Sequence, residues 1–417
     1  MRSTQKSSGG HLSDRIKRLL IKLNYQENFT IPLHNAAFTY GTNTNFLKQV
    51  LEYWLNKYDF DAREKRMNKF PQYMINIQGL DINFIHIKPR VVGKKTIPLL
   101  MIHGWPLTNL EFFYVFPKLI EPRKDRDFVF EVIAPSIPGH GYSEGTSKIG
   151  LSPYQIGIIF KNLMKKLGIE KFYIHAGDIG QFIATDMITM YQKDILGFHT
   201  NLPYSFLPRT IVKYMLGSIH PSAVVKPEYA ERLYPISSRL YYYITKFGYF
   251  HIQATFPDNL SVGLSDSPSG IAAWLLSSIA WATNPMYVFH NDGKIFDNFS
   301  IDDILDYFTV MWDAEYLPTS MRLYAETTYV HKCYDMYCLS PTIVPFAAIK
   351  FRNEIIYNPD NFLKDKYPNL CHSTTIEFGG HLASLENPKI LTDDIWKAVD
   401  KMRQFHRNRN LKIQPFL

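Results

Sequence analysis

Lys171-Phe172-Tyr173-Ile174-His175-Ala176-Gly177-Asp178-Ile179-Gly180-Gln181 sets a carboxylate at the centre of a small-x-acid-x-small turn. The β-branched and aromatic run Lys171 to His175 reads as a short buried strand, and Gln181 to Tyr191 as a helix. Asp178 therefore falls on a sharp strand-to-helix turn, where small neighbours let the backbone take strained angles and lift the central side chain into a pocket. A carboxylate there can attack a saturated carbon and form an alkyl ester, whereas a serine would attack an acyl carbon. Gly-x-Asp-x-Gly alone is common in ordinary turns, so its weight comes from the surrounding chain.

Upstream, the apolar run Ile97 to Ile102 leads into His103-Gly104-Trp105-Pro106, which resembles the loop that supplies an oxyanion-hole amide in α/β-hydrolases. The two amides of that hole would be those of Trp105 and Ile179. Downstream, Ser373 to Phe378 alternates into Gly379-Gly380-His381, a histidine just after a late strand, where this fold carries its general base. An acid that orients the imidazole belongs between nucleophile and base in chain order, and Glu354, Asp360 and Asp335 compete for the place. Glu354 follows the strand-like run Thr342 to Ala348 by a few residues and is favoured over Asp360. On spacing alone it reads equally well as a solvated loop acid beside Arg352.

The 417 residues, 46% hydrophobic and 20% charged, suffice for a large core, most economically one enlarged domain with an inserted subdomain. A net charge of +8 with dispersed lysines speaks against nucleic-acid binding and leaves room for peripheral contact with an anionic membrane surface. Cys333, Cys338 and Cys371 form an odd set without zinc-like pairing, as expected of buried fillers in a reducing compartment. Met1 to Gly10 is too polar for a signal peptide, and Leu12 to Leu23 reads as a short surface helix. Ser267 to Phe289 lacks charge, but Pro268 and Pro285 fence it into a packed helix that is short for a bilayer.

Helical spacing of Phe46, Val50, Tyr53, Trp54 and Tyr58 predicts an N-terminal helical extension over 1–69. Strands follow at Tyr73 to Ile77 and Ile82 to Ile87, joined through Gln78-Gly79, and at Phe128 to Ala134. Ser152, Pro153 and Gly168 punctuate a helix as cap, first-turn proline and terminating glycine, and Ile195 to Thr200 is another strand. This is the alternation of an α/β-hydrolase fold: a mostly parallel central sheet over 70–203 and 319–417, with a helical, aromatic lid over 204–318.

Six stretches together resemble the microsomal epoxide hydrolase family, including its juvenile hormone epoxide hydrolases, over nearly the whole chain. They are Gln78-Gly79-Leu80-Asp81-Ile82, His103-Gly104-Trp105-Pro106, Ala134-Pro135-Ser136-Ile137-Pro138-Gly139, Gly248-Tyr249-Phe250-His251-Ile252-Gln253, Asp266-Ser267-Pro268 and Gly379-Gly380-His381. The resemblance implies Asp178 as nucleophile, His381 as water-activating base, Glu354 as orienting acid, and Tyr249 and Tyr324 as proton donors to an epoxide oxygen. It implies a small lipophilic epoxide as substrate, terpenoid hormone or xenobiotic, and neither metal nor organic cofactor. An epoxide opened from behind builds charge on its oxygen, so phenols facing the carboxylate across the substrate suit the chemistry. The family's N-terminal membrane anchor is not seen in these residues, so the endoplasmic reticulum or microsomal location it implies stands beside a cytoplasmic one.

Several positions depart from the family. Ile179 stands where tryptophan is usual, which keeps the amide and loses an aromatic wall; Leu107 replaces a glycine and His140 a tyrosine. A haloalkane dehalogenase would want an indole at position 179 for the halide, and a serine esterase is disfavoured by Asp178. A non-catalytic lipid or hormone carrier would have no need of nucleophile, base, acid and two phenols together.

Overall fold

The computed structural model describes residues 2–3, 14–24, 29–328 and 339–413. Its strands are β1 (Arg2–Ser3), β2 (Gln72–Ile77), β3 (Leu80–Ile87), β4 (Lys95–Ile102), β5 (Phe128–Pro135), β6 (Phe172–Ala176), β7 (Ile195–Thr200), β8 (Phe346–Phe351) and β9 (Leu370–Ile376). They form one sheet in the order β1-β2-β3-β5-β4-β6-β7-β8-β9, antiparallel from β1 through the β3/β5 pair and parallel from β5 to β9. Every residue of β6 is buried, as a strand covered by helices on both faces requires. The β2–β3 hairpin turns on Gln78 and Gly79, both at positive φ, with Ile77 paired to Leu80.

Chain order reverses beside β4 and β6, which opens a crevice at the carboxyl ends of these parallel strands. The loops after β4, β6, β8 and β9 all emerge at that edge. The helix Pro153–Lys166 has the expected cap, with the Ser152 side chain accepting from the Gln155 amide and Gly168 at φ +77° beyond its end.

Two late strands differ in their bounds from the sequence reading, and that expected over Ser373 to Phe378 is β9, Leu370–Ile376. The strand expected over Thr342 to Ala348 is instead β8, Phe346–Phe351. Pro345 has no N–H to give a ladder, and Thr342 bonds sideways to Lys366 and Ile188. Lys350 sits inside this buried strand because Asp360 pairs with its ammonium at 2.6 Å. That charge disguised the strand's end.

Between β7 and β8 lie mostly helices: Pro208–Gly217, Ile236–Lys246, Gly248–Thr255, Pro257–Ser265, Pro268–Thr283, Ile301–Asp313 and Leu317–Thr328. The last passes through position 318 and packs on Gly248–Thr255 and Pro257–Ser265. N-terminal helices Asp14–Asn24, Thr44–Asn56 and Phe60–Met67 lie between β1 and β2, and the first two pack against this helical insert. No described helix is long and apolar enough to cross a membrane. Cys371 is half-buried with its thiol on the Asn369 carbonyl, whereas Cys333 and Cys338 lie outside the described residues.

Candidate active site

Asp178 caps the crevice at the end of β6, opening the helix Asp178–Met190 with φ +45°. A non-glycine residue in this region costs on the order of 1–3 kcal/mol and persists only where its surroundings hold it. The surroundings here require glycine. A Cβ on Gly104 would meet the Asp178 Cβ at 2.6 Å, and one on Gly180 would meet the His103 carbonyl oxygen at 2.6 Å.

The Trp105 amide donates to Asp178 Oδ1 at 2.7 Å, and the Ile179 amide also bonds the carboxylate. On the other oxygen, His381 Nε2 meets Asp178 Oδ2 at 3.0 Å, while His381 Nδ1 meets Glu354 Oε1 at 2.6 Å. Glu354 Oε1 also accepts from the Ile355 amide at 2.7 Å, which fixes the carboxylate beneath the ring. Of the competing acids, Asp360 is held by Lys350 and Ser373, and Asp335 lies outside the described residues.

Burial opposes ionisation of Asp178, yet its bonds to His381 and to the two amides outweigh it and lower the carboxyl pKa. Burial likewise opposes charge on His381, and the carboxylates on its two sides overcome this and raise the imidazole well above its usual value. The resting site is thus an imidazolium between two carboxylates.

Above it stands a cage of rings. The Trp105 indole stacks on Tyr249 at 5.7 Å and meets Tyr324 edge-on at 5.5 Å, with Trp281 and Phe250 beside the phenols. Burial, then the nearby charge of Asp178, raises the Tyr249 pKa; burial, Tyr249 and Asp178 raise that of Tyr324. Both phenols keep their protons at working pH. The Trp105 indole N–H donates to Ser320 Oγ at 3.2 Å. His103 stays neutral, pushed down to about 4 by burial, and braces the loop by accepting the Ile137 amide at Nε2 and bonding the Gly104 carbonyl through Nδ1.

All seven residues marked in the sequence converge at this edge. What spacing did not reveal is the Trp105 ring, whose motif had pointed only to its amide, and two acids in the adjoining loops. Glu111 accepts from the Gly104 amide and Glu386 from the Gly380 amide, each at 2.8 Å, and burial pushes both carboxyls up to about 7. A single glutamate in a short turn carries no pattern by which to find it.

The region described as "Epoxide hydrolase N terminus" matches residues 5–112, and that described as "alpha/beta hydrolase fold" matches residues 97–219. The chain belongs to the epoxide hydrolases of the α/β-hydrolase fold, in the group of the microsomal and juvenile hormone enzymes. It is 44% identical to the juvenile hormone epoxide hydrolase of Manduca sexta, over 94% of this chain and 85% of that relative. Epoxide hydrolase 1 of Sus scrofa is 35% identical over 90% of this chain and 84% of its own length. Among solved structures, the juvenile hormone epoxide hydrolase of Bombyx mori superposes with a TM-score of 0.93 at 37% identity, covering 95% of this chain and 94% of the other.

Proposed function

We propose that this epoxide hydrolase opens lipophilic epoxides to vicinal diols through a covalent ester on Asp178. Asp178 Oδ2 attacks one ring carbon, the ring C–O bond breaks, and the oxygen takes a proton from Tyr249 or Tyr324. Esterification removes the Asp178 charge, one of the influences that raise His381, so the imidazolium passes its proton by way of solvent to the tyrosinate and becomes a base. Water then adds to Asp178 Cγ as His381 takes one of its protons. The tetrahedral oxyanion forms at Oδ1 against the Trp105 and Ile179 amides. Collapse breaks the bond from Cγ to the ester oxygen. The departing diol oxygen takes the proton left on the added water oxygen, and the other proton stays on His381, which restores the imidazolium and the Asp178 carboxylate.

The observation that carries this reading is the unbroken line Glu354, His381, Asp178 beneath two protonated phenols. Halide displacement is less well supported, because the Trp105 indole N–H is already engaged by Ser320 and Ile179 has none. Residues 204–318 would act as a lid, and a terpenoid epoxide of juvenile hormone type is the favoured substrate, because the Manduca and Bombyx relatives are juvenile hormone epoxide hydrolases. The same resemblance supports work at the endoplasmic reticulum membrane.

A single turnover in ¹⁸O-labelled water tests the ester. The first diol should carry unlabelled oxygen while label enters the protein; a fully labelled first diol refutes the route. Turnover of a terpenoid epoxide against an aryl epoxide tests the substrate class.

A further inference from the structure

The loop that carries the Trp105 amide and the loop that carries His381 are tied together away from the substrate side. Within the first loop, the peptide that aims the Trp105 N–H at Asp178 has its carbonyl, that of Gly104, bonded by the Leu107 amide and His103 Nδ1. The next amide back, Gly104 N–H, ends on Glu111 Oε2 at 2.8 Å. The other oxygen of that carboxylate accepts from Ser384 Oγ, again at 2.8 Å. Ser384 lies in the turn Ala383–Glu386, just after His381, and this turn packs on the turn Asn109–Phe112 that carries Glu111. In the second loop all three amides are engaged, Gly380 and Leu382 by Glu386 and His381 by the Ala282 carbonyl.

We infer that Glu111, acting through Ser384, is a positioning residue that holds the oxyanion amide of Trp105 and the base His381 in fixed register for hydrolysis of the ester. This rests on the covalent route proposed above. Ester formation draws on the Asp178 carboxylate, which His381 and the Trp105 amide keep ionised at rest, and on the phenols. Ester hydrolysis needs in addition water delivered by His381 on one side of Cγ while the Trp105 amide waits on the other, so a loosened tie falls most heavily on that step. A misplacement of about 1 Å in such a constellation can cost about 10²-fold.

The test is pre-steady-state kinetics with an aryl epoxide, following ester by intact-protein mass, on Ser384→Ala, Glu111→Gln and His381→Gln. The inference expects Ser384→Ala to slow hydrolysis by about tenfold or more and to accumulate ester, with formation changed by less than about threefold. Glu111→Gln should do the same, and the double variant should be no slower than the worse single one. Hydrolysis at the parental rate in Ser384→Ala overturns the inference, as does equal slowing of both steps, the mark of a merely structural clamp. Ser384→Ala carries the test should Glu111→Gln fold poorly. His381→Gln must trap ester; if it does not, the covalent route itself fails, whereas trapped ester beside unaffected Ser384→Ala removes the positioning role alone.

Discussion

Tyr249 and Tyr324 are two of 27 tyrosines, and nothing in their own letters separates them from core packing. Their distinction is an environment in which burial and the charge of Asp178 keep each phenol protonated. Because the shift is upward, raising the pH across the working range leaves both donors intact, and the rate of ester formation should show no alkaline loss from them. Tyr249→Phe or Tyr324→Phe should each slow ester formation by roughly 10²-fold, the scale of losing one oxyanion donor. Stopped-flow alkylation measures this directly, and unchanged rates in both variants would remove the phenols from the step. Glu354 illustrates the same dependence on surroundings, since only its contact with His381 separates it from Asp360, which is held by Lys350.

At the scale of elements, the helix that Asp178 opens carries a buried carboxyl at Asp186, one oxygen of which has no hydrogen-bond partner. Burial, only partly offset by the charge of Lys366, pushes it up to about 7. Between its unfolded value near 4 and that figure, the folded protein keeps a proton that the unfolded chain releases. The resulting stability is full below the lower value and is lost as pH rises through the upper one. Asp186→Asn should therefore melt close to the parent at about pH 4 and above it at about pH 8, by on the order of a few kcal/mol. Thermal unfolding at the two pH values decides it, and a difference independent of pH would count against a raised carboxyl. β8 shows the opposite side of burial, since pairing with Asp360 lets Lys350 occupy a strand that its charge would seem to end.

Across the whole molecule, the N-terminal segment is bolted to the helix Ile301–Asp313 rather than to the sheet alone. Arg63 and Arg66 reach Asp303 and Asp306, Tyr58 donates to Asp306 at 2.8 Å, and the Trp54 indole donates to Thr309 at 3.1 Å. Asp306 is almost fully buried, so Asp306→Ala leaves two arginines with Asp303 as their one remaining shared carboxylate and should destabilise by about 1–3 kcal/mol in urea unfolding. Replacing Arg63, Arg66, Asp303 and Asp306 together by apolar residues of similar volume should recover much of that loss, because a buried ion pair costs desolvation that packing does not. A loss as large in the quadruple variant as in the single one would argue that the network supplies net stability.

What the sequence determined by itself was the order of elements and the elbow that presents Asp178. Local patterns carry both: the fully buried β6, the capped helix Pro153–Lys166, and the glycines near Asp178, where a Cβ on Gly180 would meet the His103 carbonyl and one on Gly104 would meet Asp178 itself. The tertiary structure alone decided which acid meets His381, how Trp105 orders the two phenols, and that Glu111 and Ser384 link two loops far apart in the chain. The physical reason is that these are relations between side chains brought together only when parallel strands align their carboxyl ends. Spacing along the chain records each loop, and only the register of the sheet sets one loop against another.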